Sequence, residues 1–166
     1  MKVWTCIILG CLCFSAEAVA HGPVPTAIFP FELDDTSLQG QEQGPREDQR
    51  MRLAALGQQL RDALLQSGCC SAADLRAVAK QAQTMDMQNC RGCEVSLARK
   101  AGAAISVTGW VQKVSNLILN ITVVARDVTT GMVISAGSVD VRGNTDESWS
   151  RGLSYLLRNR LHPSEW

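Results

Sequence analysis

Apolar and polar positions alternate with a period of two through most of the second half of the chain. Ala103 to Lys113, Leu117 to Asp127 and Val133 to Arg142 read as three strands rich in Val, Ile and Thr. Val114-Ser115-Asn116 and Thr129-Thr130-Gly131 are short turns, so the three strands are predicted to form an antiparallel meander. One face collects Ile105, Val107, Leu119, Ile121, Val123, Val139 and Val141. The other collects Ser106, Thr108, Trp110, Asn120, Thr122, Ser138 and Asp140. A sheet that is apolar on one side and polar on the other calls for helices on one face only.

The first half mixes two periods. Ala27, Phe29, Phe31 and Leu33 alternate with Ile28, Pro30 and Glu32, which predicts a strand whose ladder is broken at Pro30, at an edge or at a bulge. Asp34 to Arg46 is polar and Gly-rich and reads as a mobile loop. Leu53, Leu56, Leu60 and Leu64 then fall on one helical stripe that Gly68 ends. A second helix is predicted from Ser71, with Leu75, Val78, Ala79, Ala82 and Met85 on its stripe. A short one runs from Glu94 to about Ala101. The last opens with Asn144 as cap and Glu147 behind it, and buries Trp149, Leu153, Leu156 and Leu157. The order predicts an α/β fold of the α+β type: a two-layer sandwich with a mainly antiparallel sheet and helices packed on one face.

The amino terminus follows neither period. Lys2 precedes an almost wholly apolar run from Val3 to Phe14, and Ala18-Val19-Ala20 supplies a small-x-small cleavage site. Residues 1–20 are read as a signal peptide and 21–166 as one secreted domain. Ile8-Leu9-Gly10-Cys11 imitates a lipoprotein box, but leaves too little chain ahead of it for the charged and apolar stretch. Export places the product in the periplasm, and no later segment approaches a membrane span. Charge adds one exclusion: 16 basic and 16 acidic side chains balance, so no broad field draws the protein to nucleic acid.

Gly109-Trp110-Val111-Gln112-Lys113, Arg126-Asp127-Val128-Thr129-Thr130-Gly131 and Asp140-Val141-Arg142-Gly143-Asn144-Thr145-Asp146-Glu147-Ser148-Trp149 form a recognisable pattern. With Phe29-Pro30-Phe31-Glu32-Leu33, Asp35-Thr36-Ser37 and Cys90-Arg91-Gly92-Cys93-Glu94, it resembles a small family of secreted bacterial proteins of unknown function. The resemblance implies a fold similar to the α/β module at the amino terminus of TolB and in CsgG-like periplasmic proteins, with a short strand after the first long helix. It also implies an accessory role, since relatives are encoded near periplasmic quinoprotein dehydrogenases and transporter components.

Export removes Cys6, Cys11 and Cys13 and leaves Cys69, Cys70, Cys90 and Cys93, which read first as disulfide candidates. Adjacent side chains point apart, and a 69–70 ring is strained. At least one long bridge, from Cys69 or Cys70 to Cys90 or Cys93, is therefore expected. Cys90-x-x-Cys93 ahead of a helix also has the form of a redox pair, and four thiols could hold zinc or copper(I). His21 and His162 stand at the chain ends, so no Ser–His–Asp set is expected, and Asp34-Asp35 and Asp146-Glu147 fit a loop and a helix start. Trp110, Arg126 and Arg142 on the polar sheet face are the candidate partner-binding patch. These residues describe a non-catalytic periplasmic accessory protein, with no cofactor and no metal, that binds an unidentified periplasmic protein. The alternative is a thiol–disulfide oxidoreductase or metal-binding carrier using the Cys90-x-x-Cys93 segment.

Overall fold

The computed structural model describes residues 22–163 and Trp166; the predicted leader and His21 lie outside them. The meander forms as β4 (Ile105–Lys113), β5 (Leu119–Asp127) and β6 (Val133–Val141). β4 and β5 pair antiparallel from Ile105↔Asp127 to Lys113↔Leu119, and β6 closes that side antiparallel to β5. On the other side of β4 the pairings are parallel. β1 (Val24–Ile28) lies between β4 and β3 (Cys70–Ala72), and β2 (Glu32–Asp35) continues the line of β1 along β4. The sheet is therefore mixed and six-stranded, with its longest pairings antiparallel.

Pro30 sits at a bulge inside this line. Ile28 pairs with Val107 but Glu32 pairs with Trp110, so the segment from 28 to 32 carries one residue more than β4 does opposite it. A one-residue slip exchanges the two faces. Ala27 and Phe29 consequently pack in a different core from Phe31 and Leu33, which corrects the single alternating face expected for this stretch. The Phe31 ring lies over Gly109, where a Cβ would come within 2.5 Å of it; the glycine in β4 is what admits the ring.

The two long helices, α2 (Glu47–Gln66) and α5 (Asp146–Asn159), lie side by side on the apolar face and run in the same direction. Arg52 reaches Asp146 at their starts, and Gln59 reaches Ser154 farther along. Leu56, Leu60, Leu64, Trp149, Leu153 and Leu156 enter a core with Ile28, Phe31, Val107, Val111, Ile121 and Val123. A smaller core on the opposite face joins Ala27 and Phe29 to Val95, Leu97 and Ala98 of α4 (Cys93–Lys100). The helices expected on one face thus cover it, and α4 shields one end of the other.

Three local expectations are corrected. The segment read as a mobile loop holds β2 and α1 (Leu38–Gln43), gathered around a buried ion pair. Lys113 is an inward-facing position of β4, 0% exposed, and its Nζ meets Asp35 at 2.9 Å and Gln39 at 3.2 Å. The helix predicted from Ser71 starts only at α3 (Ala79–Gln83), because residues 70–72 pair with β1 and Ser71 donates to the Pro23 carbonyl instead of capping. The final helix is capped by Thr145, not Asn144: Thr145 Oγ1 accepts from Ser148 N–H, and Ser148 Oγ accepts from Thr145 N–H.

Candidate functional site: a cleft beside the Cys90–Cys93 loop

The polar sheet face carries a cleft of about 450 Å3 where α4 and the preceding loop lean over β4 and β5. Its floor is Thr108, Trp110, Val124 and Arg126, and its wall is Met87, Gln88, Arg91 and Glu94. Glu32, turned to this face by the bulge and paired with Trp110 in register, holds the wall in place. Its carboxylate accepts from the backbone N–H of Met87 at 2.7 Å and of Gln88 at 3.1 Å. Burial nevertheless raises its pKa above the ordinary carboxylate value, because the two N–H groups offset the lost hydration only in part. Glu32→Gln keeps the shape but has one acceptor oxygen, so one of the two amides loses its bond and the other keeps a weaker, uncharged one. It is expected to speed hydrogen exchange at Met87 and Gln88 and to destabilise by about 1.5–3 kcal/mol. Unchanged exchange at those two amides would contradict this role.

Glu94 is the centre of the site. It is buried in the first turn of α4, one carboxylate oxygen 3.1 Å from Arg126 Nε and the other 3.4 Å from Cys90 Sγ. Arg126 in turn donates to the Gly131 carbonyl in the β5–β6 turn, so its guanidinium is fixed at the mouth of the cleft. Trp110 stays half-exposed beside it. An anchored guanidinium next to a partly open indole is a surface suited to a protein segment, apolar at one point and hydrogen-bonding at the next.

Cys90 and Cys93 are joined by a disulfide, and their Cα atoms are 5.5 Å apart. Cys69 and Cys70 remain thiols. The expected long bridge does not form because the sheet stands between the pairs: Cys70 belongs to the core under α2 and α5, Cys93 to the small core under α4. Around the bridge, Cys93 N–H points at Cys90 Sγ from 3.2 Å, and a Glu94 carboxylate oxygen lies 3.4 Å from the same sulfur. Cys90, Cys93 and Glu94 bring their ligand atoms within 4.8 Å of one another, and Met87 Sδ lies 3.8 Å from Cys93 Sγ. That set suits a soft ion only after the bridge is reduced, since the bond uses both sulfurs.

The other candidates lie elsewhere. Arg142 follows the far end of β6, beyond the Leu119↔Val141 pair, whereas Arg126 sits at the opposite end of β5. The two arginines are roughly 25 Å apart along the strands and do not share a patch. Asp35 is committed to Lys113, Asp146 to Arg52, and His162 is exposed in the tail. A larger groove of about 1010 Å3 runs between α2 and α5. Its polar groups are already engaged: Arg52 with Asp48 of its own helix and with Asp146 of α5, and Gln59 with Ser150 and Ser154 of α5. Sequence reasoning missed Glu32 and Glu94. The signal for Glu32 was a charge inside an apolar run; Glu94 looked like an ordinary acid at a helix start.

The fold is similar to that of the LpoB C-terminal domain from Salmonella enterica, with a TM-score of 0.52 and 16% identity over 73% of this chain and 84% of that one. The Escherichia coli LpoB C-terminal domain gives 0.51 and 17%, over 76% and 88%. TolB from Acinetobacter baumannii overlaps more loosely, at 0.46 and 15%, over 84% of this chain and 30% of TolB. No curated protein matches the chain by sequence. Residues 25–161 match the family described as "Protein of unknown function (DUF2380)", and the protein belongs to that family.

Proposed function

We propose that this is a non-catalytic accessory protein of the periplasm that binds another protein through the Trp110–Arg126 cleft. The observation that carries this reading is the pairing of a half-exposed indole with a guanidinium held by Glu94 and Gly131. Three further points support it. The amino-terminal segment has the form of an export leader, Asp35 and Asp146 are engaged in ion pairs, and the fold is similar to that of the LpoB C-terminal domain. Among the described residues, no helix is long and apolar enough to cross a membrane. A periplasmic dehydrogenase or transport system is the partner class that the family resemblance favours.

Trp110→Ala removes the anchor while leaving both cores untouched. The variant is expected to stay folded, at a cost of about 1–3 kcal/mol for the covered part of the indole, and to lose a co-purifying periplasmic partner. Retention of the partner by Trp110→Ala would overturn the assignment of the surface. The alternative chemistry is separable: a thiol–disulfide oxidoreductase reduces insulin and stops doing so in Cys90→Ser, whereas a binding protein turns over none.

A further inference from the structure

We propose that Cys69 and Cys70 form a second, redox-labile disulfide across a single peptide bond, separate from the Cys90–Cys93 bridge. Neighbours in an extended chain point to opposite sides, yet the two Sγ atoms here are 3.1 Å apart. The junction of α2 with β3 explains why. Gly68, at φ +75°, turns the chain sharply off the helix. Ser67 Oγ then holds Cys69 Sγ at 2.8 Å, back toward the helix end, while Cys70 turns into the core. The backbone between them is pinned by Val24 N–H on the Cys69 carbonyl at 2.8 Å. Closing the remaining gap to a bond length of ~2.05 Å needs a movement of only about 1 Å.

The chemistry balances with one external reactant. The half-exposed Cys69 attacks an exchanging disulfide, on a protein or on oxidised glutathione, and forms a mixed disulfide. Cys70 displaces it. Two S–H bonds break and one S–S bond forms, and the two electrons and two protons leave with the reactant as two thiols. Consecutive Cα atoms are held at ~3.8 Å, under the span of a relaxed bridge, so the ring is strained and opens more readily than the Cys90–Cys93 link. The device sits at the start of edge strand β3, on the face away from the cleft, and does not depend on what the cleft binds.

Trypsin separates the two pairs. Residues 62–76 carry Cys69 and Cys70 and no other cysteine, while cleavage at Arg91 leaves Cys90 and Cys93 on two peptides held only by their bridge. The full chain is reduced, exposed to oxidised glutathione, trapped with iodoacetamide and digested. The expected 62–76 peptide is unalkylated and two hydrogens lighter than the dithiol, and graded dithiothreitol opens it before the Cys90–Cys93 link. A doubly alkylated peptide, a persistent glutathione adduct on Cys69, a link between two chains through this segment, or the reverse order of opening would each overturn the proposal.

Discussion

Asp35→Ala is expected to destabilise the fold by about 3–5 kcal/mol, because it strands a buried ammonium. Lys113 is 0% exposed, and Asp35 is its sole anionic partner among the described residues. The loss is predicted to exceed that of Lys113→Met, which removes the charge itself and keeps a side chain of similar length. Equilibrium urea unfolding of both variants checks the order, and equal small losses would contradict a buried, desolvated pair. Acid provides a second view of the same interaction. Burial alone would raise the Asp35 pKa, but hydrogen bonds from Ser37 and the contact with Lys113 outweigh it and hold the carboxyl below its ordinary value of 3.8. A carboxyl depressed in the folded state stabilises fully above its unfolded value. That contribution is therefore present above pH ~4 and is lost as the pH falls further, through the folded pKa. Asp35→Ala should flatten this part of the stability–pH curve.

Trp149→Ala is the second large effect, at about 3–5 kcal/mol. The indole is 1% exposed and fills the junction of α2, α5 and the sheet, with the Arg52 guanidinium 6.0 Å from its centroid on the outer side. Its Nε1 has no hydrogen-bond partner, so Trp149→Phe forfeits no bond and should recover most of the loss. A Phe variant as unstable as the Ala variant would show that volume at this position is not what matters.

How far the chain discloses its fold depends on how local each cause is. The meander was legible because Ile105, Val107, Ile121 and Val123 obey a period that one buried face enforces. The stripe of α2 was legible for the same reason. Pro30 signalled a bulge, but not that the bulge would divide Ala27 and Phe29 from Phe31 and Leu33 and turn Glu32 toward the cleft. That consequence depends on the register with β4, seventy-odd residues away. The polar stretch after Asp34 looked mobile because its organising contact, Lys113, lies equally far along the chain. Residues 71–78 carried apolar spacing that fits a helix, and the edge position beside β1 drew their start into a strand instead. At the site, Trp110 and Arg126 were visible as large side chains on a polar face. The acid that fixes Arg126 was not, because Glu94 becomes special only through its burial against β5.

The cysteines follow the same logic. Loop entropy favoured a long bridge, but entropy of the unfolded chain cannot act where a sheet separates the thiols. Spacing alone had also argued against Cys69 with Cys70. The turn at Gly68 brings their sulfurs together regardless.

Binding of a protein partner at the cleft is tested most directly by photo-crosslinking in the native cells. A photoreactive phenylalanine analogue is placed at position 110, or for comparison at position 58 in the α2–α5 groove. One discrete adduct from position 110, absent from position 58 and lost when Arg126→Ala is added, is the predicted result. An adduct from position 58 alone, or none from either, would contradict a binding surface at Trp110 and Arg126.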